Sequence, residues 1–216
     1  MTNADSRSQR GFTLAETLIA MLLMAFVGMI VTGGIAMGAR VYGEIVERSN
    51  AELLLSTTLL ELRDQLDRVQ EVRTVTNSGV TTLYYRDRTS NWKALTSLGR
   101  KSDGTPEKNS KVPGGEQFRE MPRGIYLTEF SGYSIAGAPT AVLNTQLMVS
   151  DEAAGKSLYA TYESIEYKDG NFVITGLRVC NKNTGAVIAW LDRDKNRNNP
   201  DGYSYLIRPL EKITEY

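Results

Sequence analysis

The sequence predicts an α+β chain: a long N-terminal transmembrane helix packed on a C-terminal antiparallel β-sheet head. Three observations carry that prediction. An uncharged, apolar run of 23 residues, Thr17 to Ala39, lies near the N-terminus. An apolar stripe at helical spacing continues it to about residue 69, and no proline occurs between Phe12 and Val69. Beyond residue 70 the apolar residues alternate with a period of two, and Gly, Asn, Asp and Pro punctuate the segments.

Residues 1–11 are polar, with Arg7 and Arg10 against Asp5, and Phe12 opens an apolar stretch interrupted only by Glu16. At about 1.5 Å per residue the uncharged run spans roughly 34 Å, enough to cross a hydrocarbon core of about 30 Å. Arg7 and Arg10 favour a cytoplasmic N-terminus, although Arg40 at the far end blunts the asymmetry. A secretory signal has an apolar core of about 7–15 residues and a small-residue cleavage site; this run is longer, and no clear A-x-A site follows it. The one cysteine, Cys180, is not where a lipoprotein signal needs it, and the paired arginines of a twin-arginine signal are absent. A plain uncleaved signal anchor fits the run but does not explain Glu16. A carboxylate in an apolar segment costs about 2.5–3.5 kcal/mol near a helix centre and less near an end.

Gly11-Phe12-Thr13-Leu14-Ala15-Glu16, followed by Thr17-Leu18-Ile19-Ala20, closely resembles the processing site of type IV prepilins and pseudopilins. The resemblance covers the leader and the membrane helix, about thirty residues. It implies a leader, residues 1–11, cut by a prepilin peptidase between Gly11 and Phe12, with Phe12 becoming an N-methylated N-terminus. It implies that Glu16 is the family's first-turn glutamate, an assembly residue that pairs with the Phe12 amine of a neighbour in a filament of axially staggered helices. The physical alternative is that Glu16 merely snorkels at the membrane surface. The resemblance further implies a pilin-like fold, with a helix over 12–70, membrane-spanning over about 12–39, and a head over 71–216. Its implied partners are the prepilin peptidase, other pilin subunits, an inner-membrane assembly platform and the lipid bilayer. The implied location is the bacterial cytoplasmic membrane, single-pass with the head extracytoplasmic, and then an extracellular or periplasmic filament.

Gly28, Gly33, Gly34 and Gly38 each cost about 1 kcal/mol relative to Ala inside a helix. Gly34 and Gly38 have the GxxxG spacing that allows close helix packing in lipid. Gly33-Gly34 reads as a soft point where the helix bends or locally melts during assembly, and relatives often carry a helix-breaking residue in this region.

Leu55, Leu59, Leu62, Leu66 and Val69 form the stripe, with charged residues over much of the remaining surface. Cover by the chain's own C-terminal domain is expected, with a free coiled coil as the alternative. The continuous helix has about 58 residues and is on the order of 87 Å long. Strands are expected at 73–76, 80–85, 125–130, 141–149, 157–167, 171–179 and 186–191. Lys168-Asp169-Gly170-Asn171 and Asn181-Lys182-Asn183-Thr184-Gly185 have turn chemistry and imply two successive hairpins. The Gly- and Pro-rich stretch 99–124 reads as a long polar loop.

Lys and Arg total 25, Asp and Glu total 25, and histidine is absent. The charge balance gives no reason to expect nucleic acid as a partner, and Tyr84-Tyr85-Arg86 with Arg88 has no basic surplus to support stacking on DNA. Without histidine the commonest general base and the usual triads are gone. Glu163 and Glu166, three apart in an expected strand, do not pair as acid and base. Cys180 reads as a small buried hydrophobe. No enzyme is expected, and no cofactor beyond one calcium candidate. Asp192, Asp194, Asn196, Asn198 and Asp201 offer the alternating oxygens of a calcium loop, and some pseudopilins hold calcium in a C-terminal loop. Against it, Arg197 occupies the glycine position and Tyr203 the glutamate position, which leaves a solvated Asx-rich turn as the competing reading.

These features converge on a structural subunit of a type IV pilus-like filament or a type II secretion-like pseudopilus. The long head, the irregular loop and the lack of an internal disulfide lean toward a minor pilin or pseudopilin. The alternative is an uncleaved, signal-anchored extracytoplasmic binding or sensor domain. Removing residues 1–11 takes away Arg7, Arg10 and Asp5 and leaves 23 basic against 24 acidic side chains.

Overall fold

Thr13, a strong N-capping residue, stands immediately before a helix built from Leu, Ala, Met and Ile with no proline to interrupt it. In the computed structural model this helix, α1, runs from Leu14 to Asp67 and contains 54 residues. The structure describes residues 13–77, 80–87, 91–98, 121–132, 141–149, 157–191, 204–210 and 212–215. The chain divides into two compact units, Met1–Val46 and Glu47–Tyr216.

The first unit is helical throughout its described part. Its large apolar side chains are exposed, Leu14, Leu18, Leu22, Phe26, Ile30 and Ile35 among them. Arg40 and Glu44 lie 3.8 Å apart, one helical turn from each other.

In the second unit the helix buries one face, formed by Ala51, Leu54, Thr58, Leu62 and Leu66. The expected stripe is therefore rotated slightly. Leu55 and Leu59 are partly buried at its edge, and Thr58, polar in sequence, occupies its centre. Thr58 fits there because its hydroxyl donates to the Leu54 carbonyl at 2.7 Å. The helix stops after Asp67, whose carbonyl accepts the Leu210 N–H at 3.0 Å, while Gln70 N–H turns to the Arg86 carbonyl at 2.9 Å.

Twelve strands follow among the described residues: β1 (Glu71–Asn77), β2 (Val80–Arg86), β3 (Trp92–Leu98), β4 (Gly124–Phe130), β5 (Val142–Leu147), β6 (Leu158–Thr161), β7 (Ser164–Lys168), β8 (Asn171–Thr175), β9 (Arg178–Asn181), β10 (Val187–Trp190), β11 (Ser204–Ile207) and β12 (Thr214–Glu215). They form a six-stranded sheet in the order β12-β1-β2-β3-β4-β5 and two three-stranded sheets, β10-β9-β6 and β11-β8-β7. Every pairing is antiparallel except β1 with β12.

Both expected hairpins form. Asp169 and Gly170 have φ of 51° and 77°, the two positive values that a type I′ turn between β7 and β8 requires. At the second hairpin, Asn181 Oδ1 accepts the N–H groups of Asn183 and Thr184, at 2.9 and 3.2 Å. The same side chain donates from Nδ2 to Glu47 Oε1 at 2.6 Å, tying this turn to the helix.

Three expectations need correction. The expected strands 157–167 and 171–179 are each broken once, at Tyr162–Glu163 and Gly176–Leu177, yet their pairing keeps a single register from Leu158↔Asn181 to Lys168↔Asn171. The break has a local cause. Gly176 has φ of 68°, and a Cβ there would sit 2.9 Å from the Glu163 Cβ, so the ribbon bends where glycine allows close approach. One long hairpin thereby serves two sheets. Strands β3, β11 and β12 were not expected from the sequence pattern. Finally, β4 begins at Gly124, inside the stretch read as a loop, whose residues 99–120 lie outside the described part.

The core joins the helix to all three sheets through Leu62, Leu66, Val72, Leu83, Tyr85, Leu127, Phe172, Ile174 and Val179. On the other face of the six-stranded sheet, Tyr84, Trp92, Ala94 and Phe130 form a second cluster, with the Arg86 guanidinium 5.3 Å from the Trp92 ring centroid. Among the buried polar groups, Lys93 Nζ donates to Asp87 Oδ2 at 2.5 Å and the Ser97 and Thr161 hydroxyls meet at 2.6 Å, whereas the buried Tyr85 hydroxyl has no hydrogen-bond partner among the described residues. Burial pushes the Tyr85 phenol well above the ordinary tyrosine range, with smaller contributions from Tyr162, Asp87 and Glu129. Burial alone raises Tyr162. Cys180 is buried in β9.

Candidate processing and assembly site

Thr13-Leu14-Ala15-Glu16 is a capping box, and its two reciprocal halves are both in place. Thr13 donates to Glu16 Oε2 twice, from its backbone N–H at 2.9 Å and from its hydroxyl at 3.0 Å. Glu16 returns its own N–H to Thr13 Oγ1 at 3.3 Å. The carboxylate thus sits in the first turn, where the helix presents unsatisfied N–H groups and partial positive charge. Both bonds from Thr13 end on Oε2, and neither uses Oε1.

This geometry answers the question the sequence raised about Glu16. Its carboxylate is solvated by its own helix start, which offsets part of the cost of placing it in an apolar segment. Thr13 is the residue that the sequence reading missed. The signal was available, because a Thr followed three residues later by Glu ahead of an apolar run is the signature of the box.

Gly11 and Phe12 lie outside the described residues, as do Asp192, Asp194, Asn196, Asn198 and Asp201 of the calcium candidate. Among the described residues no group of three or more Cys, Asp or Glu side chains is placed to hold a metal ion. Gly33 and Gly34 lie inside the uninterrupted helix, and a Cβ at either would meet nothing within 4 Å. Packing within this chain therefore does not demand glycine at those positions. Tyr84 and Tyr85 are both buried in the head.

Around Glu16 the helix surface is apolar and uncovered. The stretch is long and apolar enough to cross a membrane, and none of its most apolar part is buried by the described residues.

Residues 6–32 match the family model described as the prokaryotic N-terminal methylation motif, the type IV prepilin-like signal. Neither the curated proteins nor the solved structures contain a match to the chain. The matched motif is a type IV prepilin-like signal, and together with the apolar helix it points to a membrane-anchored protein. The motif also implies processing by a prepilin peptidase and assembly with other pilins.

Proposed function

We propose that this chain is a minor pilin or pseudopilin, a structural subunit of a type IV pilus-like filament or a type II secretion-like pseudopilus. The observation that carries the reading is the methylation motif lying on an exposed apolar helix that begins with a capped carboxylate. In this reading the precursor is held in the membrane with its N-terminus cytoplasmic and residues 71–216 extracytoplasmic. The peptidase removes residues 1–11, and Phe12 is N-methylated.

Cleavage changes the electrostatics at Glu16. It creates an ammonium at Phe12, one residue before the cap. In the isolated subunit Thr13 occupies Oε2 and keeps the carboxylate in the first turn. Oε1 remains able to accept from the Phe12 ammonium of an axially staggered neighbour, a charge-assisted bond strengthened by the low dielectric of a helix bundle. Glu16 then acts as the register signal for assembly. Gly33 and Gly34, which have no packing duty within the chain, ease local bending of the helix as the subunit leaves the membrane.

Mass spectrometry of the mature protein from its native host tests this directly. The expected product begins at N-methylated Phe12. A product that retains residues 1–11 refutes the processing and leaves the signal-anchored alternative.

A further inference from the structure

The turn between β9 and β10 is braced from within and from the sheets around it. Within the turn, Asn181 Oδ1 accepts the N–H groups of Asn183 and Thr184, which fixes the amide plane of this side chain. From the strand side, the Ser157 carbonyl accepts the Lys182 N–H at 2.7 Å. The Arg123 guanidinium donates to the Lys182 carbonyl, also at 2.7 Å, and lies 5.6 Å from the Tyr159 ring centroid. Arg123 immediately precedes β4 and Ser157 immediately precedes β6, so two sheets hold the turn in place. With Oδ1 turned to the backbone, Asn181 Nδ2 faces the helix, where it donates to Glu47 Oε1 at 2.6 Å.

Glu47 is placed to receive it. The acids on either side pair along the helix, Glu44 with Arg40 and Glu52 with Arg48. Glu47 has no such pair among the described residues and reaches the head instead. It is the first residue of the Glu47–Tyr216 unit, and Ala51, one turn later, is the first helix residue closed into the core. Between them Arg48 and Ser49 are exposed and Asn50 is half-buried. The turn from Glu47 to Asn50 thus has no buried side chain, and among the described residues its hydrogen bond to the head is the one from Asn181. That bond is stronger than a neutral pair, because the acceptor is a carboxylate, the contact is partly buried, and Asn181 is oriented before Glu47 meets it.

We propose that Asn181 and Glu47 form a polar latch that sets where the head-bound part of the helix begins. Closed, the latch carries that boundary to Glu47; open, the boundary retreats one turn to Ala51. The proposal rests on the assembly function proposed above, in which the apolar helix bends as it leaves the membrane. The latch confines bending to the N-terminal side of Glu47, where Gly33, Gly34, Gly38 and Gly43 lie, and keeps it out of the stretch that the head encloses.

The test uses the full chain, in micelles and in its native host. Spin labels at Ser49→Cys and Ala186→Cys, both exposed positions, report the spacing between the helix turn and the hairpin, with Cys180→Ala to keep labelling specific. Labels at Lys168→Cys and Ala186→Cys are the control within the head. Asn181→Asp keeps the oxygen that caps the turn and sets a second oxygen against Glu47, while Glu47→Ala removes the acceptor from the helix side. Each variant should broaden the 49–186 distance distribution about twofold, leave the 168–186 distribution unchanged, and lower the filament fraction roughly threefold. Adding Glu47→Lys to Asn181→Asp should restore both values, because an ion pair then replaces the hydrogen bond. An unchanged 49–186 distribution, broadening of both distributions, no recovery with Glu47→Lys, or broadening of 49–186 with a normal filament fraction overturns the latch. If the unaltered chain keeps residues 1–11 and is missing from the filament fraction, the assembly reading falls, while the two distance distributions still decide the latch.

Discussion

From Leu14 to Val46 the helix leaves Leu18, Leu22 and Ile30 open, whereas from Ala51 to Leu66 the same helix closes Leu54, Leu62 and Leu66 into a core. Local backbone geometry is alike in the two stretches, so helix propensity does not separate them. What differs is the supplier of the covering surface. The sheets of the head cover the second stretch, and none of the described residues covers the most apolar part of the first. A soluble fold does not tolerate such a length of exposed apolar helix. The contrast shows that the first stretch is suited to an apolar environment outside the chain, such as a membrane, while the second is suited to the chain itself.

The largest effect expected is all-or-none and falls at the beginning of the first stretch. Gly11→Leu should abolish cleavage, read as retention of the leader in the mass of the membrane-bound protein. Next, Glu16→Ala should be cleaved normally yet fall tenfold or more in the filament fraction, because the register signal is lost while the peptidase site is kept. Normal incorporation of that variant removes the role assigned to Glu16.

Stability should respond in the opposite region. Leu66→Ala is expected to destabilise the head by about 2–5 kcal/mol, seen as a lowered unfolding midpoint of the full chain in detergent, whereas Leu22→Ala should leave that midpoint unchanged. Equal sensitivity at the two positions would erase the distinction between the stretches. The head should also weaken in alkali. Tyr85 and Tyr162 have phenols raised above the unfolded value, so their contribution is fully present below about pH 10 and declines above it. The slope should be near zero at pH 9 and approach about 1.4 kcal/mol per pH unit for each tyrosine above about pH 10, measured by denaturant unfolding at pH 9 to 11. The smallest effect belongs to the cap. Thr13→Ala should cost about 1 kcal/mol of helix stability, detected as faster amide exchange in the first turn in micelles, with the head unaffected.

The helix, its membrane segment and Glu16 were legible because each depends on local pattern: length without charge, spacing of three and four, one carboxylate out of place. The hairpins at Asp169-Gly170 and Asn181–Gly185 were legible for the same reason, since turn chemistry is local. Strand β3 was not. It is buried along its whole length in the middle of the sheet, so it lacks alternation, and it contains Lys93, Thr96 and Ser97. Lys93 is acceptable there because Asp87 meets it, and Ser97 because Thr161 does, facts that no window of sequence contains. Strands β11 and β12 are four and two residues long and owe their form to distant partners, β8 and β1. The bend at Gly176 depends on Glu163 lying opposite, again a tertiary fact. At the candidate site the chemistry was legible and its local solution was not read, although Thr13 lay in plain view three residues before Glu16.

The parallel pairing of β1 with β12 has a consequence for synthesis. Glu71 and Val72 find their partners at Thr214 and Glu215, some 143 residues later in the chain. As the polypeptide emerges, the strand that follows the helix is available early, but one of its edges stays open until residues 214–215 have been made. Throughout that interval the membrane segment can already be inserted while the adjoining sheet is unfinished. Completion of the head is therefore reported at the very point where it joins the helix.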